Sequence, residues 1–145
     1  MNERGLIDAL LASARVIAVV GYSPEPTRPS NAVSRYLRGH GYHIVPVNPQ
    51  LHGAQIDGQP SYGSLADIPK EIAIDFVDVF RRGEYLDAVV DDAHKRGIGA
   101  IWFQLDLDNV AAAERADALG MKVVWDRCTA IEHRRWRRTT SDSGE

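Results

Sequence analysis

Residues 16–33 read VIAVVGYSPEPTRPSNAV: an apolar run, a single glycine, a loop with three prolines and then the start of a helix. The run from Arg15 to Val20 is apolar on both faces, which is typical of a strand in a sheet covered by helices on both sides. Gly21 ends this strand, and Ser30 is a favourable N-cap for the helix that follows. In α/β proteins, a strand-to-helix loop of this kind often binds a phosphate group.

The rest of the chain repeats this alternation of strands and helices. An amphipathic helix precedes the first strand, and a final helix is expected from Thr129 to about Trp136. Further strands are predicted at residues 43–47, 74–80, 100–103 and 122–125. The alternation predicts an α/β fold, a Rossmann-like open parallel sheet of about five to six strands with helices on both faces.

The composition limits the chain to a few classes of protein. Its 145 residues, 44% hydrophobic and 26% charged, fit one globular domain, which we place at residues 1–138 with a disordered tail at 139–145. The net charge of −3 gives no reason to expect nucleic acid or an anionic membrane as a partner. The sequence has no run long enough to span a bilayer, no signal-peptide pattern and no second cysteine beside Cys128, so we expect a cytoplasmic protein.

Ligands of an open parallel sheet bind beyond the carboxyl ends of its strands, near the point where the strand order reverses. The segments at those positions are 21–31, 48–53, 80–84 and 104–109. The first has the features of an anion site: a glycine for close backbone approach, polar groups, an arginine and a helix N-terminus with its positive dipole end. Its candidate residues are Gly21, Tyr22, Ser23, Arg28, Ser30 and Asn31. An ordinary capped turn is the alternative.

The same loop fits neither a dinucleotide nor a nucleoside triphosphate motif. The pattern G-x-G-x-x-G is replaced by G-Y-S-P-E-P, and G-x-x-x-x-G-K-[ST] is absent. Residues 47–49 are Val-Asn-Pro, where a dinucleotide site would have an acidic residue for the ribose hydroxyls. The absence of that carboxylate is compatible with a phosphorylated ribose. At the end of the strand predicted at residues 74–80, Arg81 and Arg82 could pair with phosphates, and Phe80 could pack on a flat ring.

Six stretches between residues 15 and 133 form a specific set: VIAVVGYSPEPTRPSNAVSRYL, GYHIVPVNP, SLADIP, DFVDVFRR, IWFQLDLDN and VVWDRCTAIEH. Together they resemble the small stand-alone CoA-binding proteins, which are similar to the CoA-binding domain of succinyl-CoA synthetase α subunits. The resemblance implies a Rossmann-like fold that binds coenzyme A, with the adenosine and phosphates across the segments at Gly21, Val47 and Phe80.

One departure from the family pattern concerns the phosphate contacts. The related ligase subunits place a lysine in the loop after their second strand. In this sequence the loop after the strand predicted at residues 43–47 offers only His52. The 3′-phosphate of CoA would then depend more on arginines. The expected site for CoA or an acyl-CoA comprises Gly21, Tyr22, Ser23, Arg28, Ser30, Asn31, Val47, Asn48, Pro49, Phe80, Arg81 and Arg82.

We expect no catalytic residues in this chain. In the synthetase that it resembles, chemistry requires a further domain with a phosphorylated histidine, which this chain is too short to contain. The alternative is a nucleotide-cofactor-dependent enzyme or ligase subunit completed by a separate chain. A third possibility is a regulatory module that contacts an unidentified protein partner through the basic segment HRRWRR, residues 133–138, although a solvated helix end explains that segment more simply.

Several polar residues allow both a functional and a structural interpretation. Cys128 and His133 could act as nucleophile and base, but a thiol packed in the fold is commoner. The pairs Asp75 with Asp78 and Asp106 with Asp108 could act in acid–base chemistry, or could cap turns and face water. Because the histidines lack metal-ligand spacing, we expect no zinc site.

Overall fold

The computed structural model describes residues 1–51 and 53–143, without the side chains of residues 141–143. The helices are α1 (Arg4–Ser13), α2 (Pro29–Gly39), α3 (Leu86–Lys95), α4 (Val110–Ala118) and α5 (Thr129–Ser143). The strands are β1 (Val16–Val20), β2 (His43–Val47), β3 (Gln55–Ile56), β4 (Gln59–Pro60), β5 (Phe76–Val79), β6 (Ala100–Phe103) and β7 (Lys122–Val124).

Five of these strands form one parallel sheet in the order β2-β1-β5-β6-β7. After β1 the chain moves outward to β2 and then returns to the other side of β1, so the strand order reverses between β1 and β5. The short strands β3 and β4 pair separately as an antiparallel hairpin. The predicted α/β class and open parallel sheet are therefore confirmed, with five strands.

The two faces of the sheet pack against different helices. Successive side chains of a strand point to opposite faces, so neighbouring residues belong to different core clusters. Val77 and Ile101 belong to a core cluster that includes α3 and α4 residues. Phe76 and Trp102 belong to a second cluster, which includes residues of α1, α2 and α5. The sheet is thus covered on both sides, as its apolar strands predict.

Some predicted boundaries differ from the structure. Ser30 is not the N-cap of α2, because the helix begins at Pro29, a residue well suited to the first helical position. The predicted end of the last helix near Trp136 is also wrong. α5 continues to Ser143, so residues 139–143 of the tail that was expected to be disordered are helical. None of the described helices is both long and apolar enough to cross a membrane.

The basic segment HRRWRR lies within α5, and part of it is packed inside the fold. His133 is 2% exposed, and its Nδ1 lies 2.8 Å from the hydroxyl of Tyr36 on α2. Arg134 lies over the Tyr36 ring, 4.5 Å from its centroid. Arg135 donates to the buried Glu132 at 3.1 Å. The first two contacts hold α5 against α2, and the third lies within α5.

The burial of His133 makes the stability depend on pH. Burial, with nearby His40, Arg137 and Arg134, lowers the pKa of His133 from 6.5 to about 4. Between these values the unfolded chain binds a proton that the folded protein does not, so folding stability falls as the pH falls through this window. Between pH 7 and pH 4.5, the wild type should lose about 2 kcal/mol more unfolding free energy than a His133→Gln variant. Urea denaturation at both pH values measures this, and equal losses would contradict it.

Candidate functional site

Gly21 lies where the strand order reverses, and its backbone requires a glycine. Its φ is +88°, and a Cβ there would lie 2.8 Å from the carbonyl oxygen of Phe80 and 3.0 Å from the Cδ of Arg81. Its N–H donates to the Val47 carbonyl at 2.9 Å. The backbone of Gly21 thus lies close to another part of the chain. Its expected close approach to a ligand stays a prediction.

The loop after β1 is fastened to α2 by buried polar side chains. The Asn31 side-chain amide donates to the Tyr22 hydroxyl at 3.2 Å and to the Ser23 carbonyl at 3.1 Å. The Ser23 N–H donates to the Ser30 hydroxyl at 2.9 Å. Tyr22, Ser30 and Asn31 are all buried. Their hydrogen bonds hold the loop in shape, and the direct ligand contacts predicted for them stay a prediction.

The end of β2 is tied to the same loop. The Asn48 side-chain amide donates to the Tyr22 carbonyl at 2.9 Å, and its oxygen accepts the N–H of Gln50 at 3.0 Å. Val47 is buried, whereas Pro49 is exposed at the start of a short 3₁₀ turn. His52, the expected substitute for the family's lysine, lies outside the described residues.

The first turn of α2 lies beside the loop and is only partly hydrogen-bonded. Pro29 has no N–H, and the amides of Asn31 and Ala32 both donate to the Arg28 carbonyl, at 3.0 and 3.1 Å. In the described part of the chain, the Ser30 N–H is therefore the first-turn amide without an acceptor. Arg28 itself is exposed. An unpaired amide, the helix dipole and a cation meet here, as an anion site requires.

The two arginines after β5 occupy different environments. Arg81 is half-buried, and its guanidinium carbon lies 4.0 Å from the centroid of the Tyr85 ring. Arg82 is exposed and pairs with Glu84 at 3.2 Å. Phe80 packs partly against the cluster formed with α1, α2 and α5. Arg81 is thus held in place by an aromatic ring, with no carboxylate within 4 Å among the described residues.

Two cavities lie at the carboxyl edge of the sheet, and Arg81 lines both. The β5–β6 cavity, about 400 Å³, lies between the ends of β5 and β6 and the start of α2. The β1–β2 cavity, about 200 Å³, lies between the ends of β1 and β2 and α3. Residues that line the first include Pro29, Val33, Phe80, Phe103, Gln104 and Cys128. Those that line the second include Gly21, Pro49, Leu65, Tyr85 and Val89.

Several of these lining residues escaped the sequence analysis. Gln104 fell within a predicted strand-end segment but received no role, although the strand-end rule could have singled it out. Leu65, Tyr85 and Val89 carried no signal, because an apolar residue in a helix or a turn is first explained as core. Their place beside a cavity depends on how α3 packs against the ends of β1 and β2.

A larger cavity, about 530 Å³, lies at the opposite edge of the sheet and is lined by basic residues that include Arg15, His40 and Arg137. α1 and α2 both end beside it, so their negative dipole ends face this region. Cations at helix C-termini balance these dipoles. An anionic ligand is therefore favoured at the carboxyl edge, despite the larger volume here.

Asp78 is a fully buried carboxyl beneath the β5–β6 cavity. Gln104 Nε2 donates to its Oδ1 at 2.5 Å, and the Thr129 hydroxyl donates to its Oδ2 at 2.9 Å. Burial raises the pKa of Asp78 to about 7, and the two hydrogen bonds act in the opposite direction. Asp75, the suggested acid–base partner, accepts the backbone amides of Arg15 and Val16 at the start of β1, so the structure does not bring the pair together.

A second of the suggested catalytic pairs, Cys128 with His133, is also separated. Cys128 lines the β5–β6 cavity, whereas His133 is buried against Tyr36. In the described part of the chain no hydrogen bond joins them. The same part contains no group of three histidine, cysteine or acidic residues that could hold a metal ion.

Comparison with known proteins identifies the family of this chain. Residues 15–134 match the CoA binding domain family. The chain belongs to this family. It is similar to the uncharacterized protein YneT of Bacillus subtilis, with 35% identity over 127 residues, which cover 88% of this chain and 91% of that protein. Its fold is similar to that of cell-free ID.343 from Thermus thermophilus, with a TM-score of 0.86, 33% identity and coverage of 92% and 98%.

A CoA binding domain also occurs within a larger similar enzyme. The ADP-forming acetate–CoA ligase I of Archaeoglobus fulgidus is 27% identical over 128 residues. The match covers 81% of this chain but only 18% of the ligase. The resemblance to stand-alone CoA-binding proteins and to a ligase domain is therefore confirmed at the level of the family.

The contact at Gly21 can be tested against a matched glycine. Gly21→Ala should lower the unfolding free energy by about 3 kcal/mol, because the new Cβ meets both an unfavourable φ and the Phe80 carbonyl. Gly41→Ala has a similar φ of +97° but meets nothing within 4 Å, so it should cost only about 1 kcal/mol. Urea denaturation of both variants measures the difference. Equal costs would show that the Phe80 contact is unimportant.

Proposed function

We propose that this protein binds coenzyme A or an acyl-CoA at the carboxyl edge of its sheet and has no chemistry of its own. The observation that carries the proposal is the position of Arg81. This cation has no carboxylate partner in the part of the chain that the structure describes, and it lines two cavities beside the strand-order reversal. CoA has a purine at one end, a long arm at the other and phosphates between them. Membership of the CoA binding domain family supports the same ligand.

The apolar walls of the β1–β2 cavity suit a purine ring. Leu65 and Val89 line it, with Pro49 at its β2 side. The volume of about 200 Å³ is sufficient for an adenine. Asn48 stands at the end of β2 in place of a carboxylate, so it would not repel a phosphate on the ribose. We therefore assign the adenosine end to this cavity.

The phosphates would lie near Arg81 and the N-terminus of α2. Arg28 and the Ser30 amide stand at that N-terminus, and Pro29 lines the β5–β6 cavity. Asp106 and Asp108 also line this cavity and would repel phosphates at its other wall. The remaining space suits the uncharged pantetheine arm of CoA.

A role in binding alone fits the residues around the cavities. Asp78 is buried beneath Gln104 and Thr129, and in the described part of the chain no hydrogen bond joins Cys128 to His133, which pairs with Tyr36 instead. A ligase-like subunit completed by a separate chain is the second candidate, which the match to 18% of the Archaeoglobus ligase favours. In either case the ligand would be the same, and a regulatory role would act through its occupancy.

Calorimetric titration with CoA, dephospho-CoA, NAD and NADP tests this function. CoA should bind more tightly than dephospho-CoA, because the ribose phosphate gains a charged partner. Binding of NAD without CoA would overturn the proposal. Equal affinities for CoA and dephospho-CoA would remove the ribose-phosphate contact only.

Arginine variants locate the phosphate contact. Arg81→Gln should weaken CoA binding about tenfold or more, since a hydrogen bond to a charged group contributes roughly 1.5–3 kcal/mol. Arg115→Gln is the matched control, because Arg115 pairs with Asp87 and Asp91 on the surface between α3 and α4. Unchanged affinity in Arg81→Gln would contradict the assigned role of Arg81.

A further inference from the structure

Three polar side chains form a closed hydrogen-bonded set beneath the β5–β6 cavity. Gln104 Nε2 donates to Asp78 at 2.5 Å and to the Thr129 hydroxyl at 3.0 Å, and that hydroxyl donates to the other carboxylate oxygen of Asp78 at 2.9 Å. Both N–H groups of the Gln104 amide are thereby used. The amide cannot rotate without losing both bonds, so its orientation is fixed.

The remaining polar atom of this amide is not sealed inside the fold. Gln104 Oε1 has no hydrogen-bond partner among the described residues, and it is not one of their buried unpartnered atoms. Gln104 is half-buried and lines the β5–β6 cavity. Its carbonyl oxygen is therefore a preoriented acceptor that a bound molecule can reach.

The fold itself does not require this set. Asp78 lies in the central strand β5 between the buried residues Val77 and Val79, and its own side chain is 0% exposed. Burying a carboxylate costs desolvation free energy that its hydrogen bonds must offset, whereas an apolar residue at such a position carries no such cost. A costly buried group that orients a cavity-lining amide indicates selection for the amide's position rather than for stability.

We propose that Asp78 and Thr129 are positioning residues that hold Gln104 Oε1 as a hydrogen-bond acceptor for the arm of CoA. This inference rests on the proposed function, because it assigns the arm to the β5–β6 cavity. The arm carries amide N–H groups and ends in a thiol, so it has donors for such an acceptor. Val33, Phe103 and Leu107 line the same cavity and suit the methylene groups between those donors.

A ligand that lacks the pantetheine arm distinguishes a role of Gln104 in binding the arm from a role in the stability of the site. Adenosine 3′,5′-bisphosphate shares the nucleotide end of CoA but lacks pantetheine. Gln104→Met and Asp78→Val should each weaken CoA binding about three- to tenfold and leave the affinity for the bisphosphate unchanged, because the first removes the acceptor and the second removes the carboxylate that orients it. Gln55→Met, on the exposed β3 strand, is the matched control and should change neither affinity.

A conservative pair of variants at Thr129 checks the positioning. Thr129→Ser keeps the hydroxyl and should keep the wild-type ratio of the two affinities, whereas Thr129→Val should lower CoA affinity alone. Titration with acetyl-CoA identifies the donor on the arm. If Gln104→Met weakens binding of acetyl-CoA as well as CoA, the donor is an amide N–H. If it weakens binding of CoA alone, the donor is the thiol. Both results support the acceptor role.

Two other outcomes count against the inference, and they can be told apart. If the variants weaken both ligands equally, or neither, Gln104 does not contact the arm and the positioning role is wrong, although the CoA site stands. If the wild-type protein binds neither CoA nor the bisphosphate, the proposed function fails and the assignment of the arm fails with it.

Discussion

The contact between Gly21 and the Phe80 carbonyl sets the geometry of the whole carboxyl edge. The loops after β1 and β5 leave neighbouring strands in different directions, and they can touch only because residue 21 has no side chain. The same glycine donates to Val47, so the ends of β2, β1 and β5 are joined at one residue. This junction places Arg81 beside both cavities, and the rest of the candidate site is arranged around it.

Charge and helix direction then decide which edge of the sheet can hold an anion. In a parallel sheet with helical crossovers, helix N-termini gather at the carboxyl edge and C-termini at the other edge. α2 begins at the carboxyl edge with Pro29, its first-turn Ser30 amide has no acceptor among the described residues, and Arg28 stands beside it. The basic residues at the opposite edge instead balance helix ends. The net negative charge of the chain therefore does not prevent a local anion site.

Much of the fold could be predicted from local patterns, and much of the site could not. The β-branched run before Gly21 and the Asn109 cap of α4 depend on near neighbours in sequence, and both are confirmed. The partners of Asn31 and Gln104 depend on how distant segments meet: Gln104 and Asp78 are 26 residues apart. Residue type and strand-end position therefore placed residues near the site, but they could not separate those that build the loop from those that face a cavity.

The buried polar residues of this edge act at two levels. Tyr22 and Asn31 fix the loop after β1, and Asp78 fixes the amide of Gln104. Each arrangement removes conformational freedom before a ligand arrives, and a site ordered in advance binds more tightly because less entropy is lost on binding. A carboxyl that served catalysis would need contact with the reacting atoms, whereas Asp78 is sealed from the cavity by Gln104. Burial therefore limits Asp78 to orienting Gln104 and keeps it from direct contact with a molecule in the cavity.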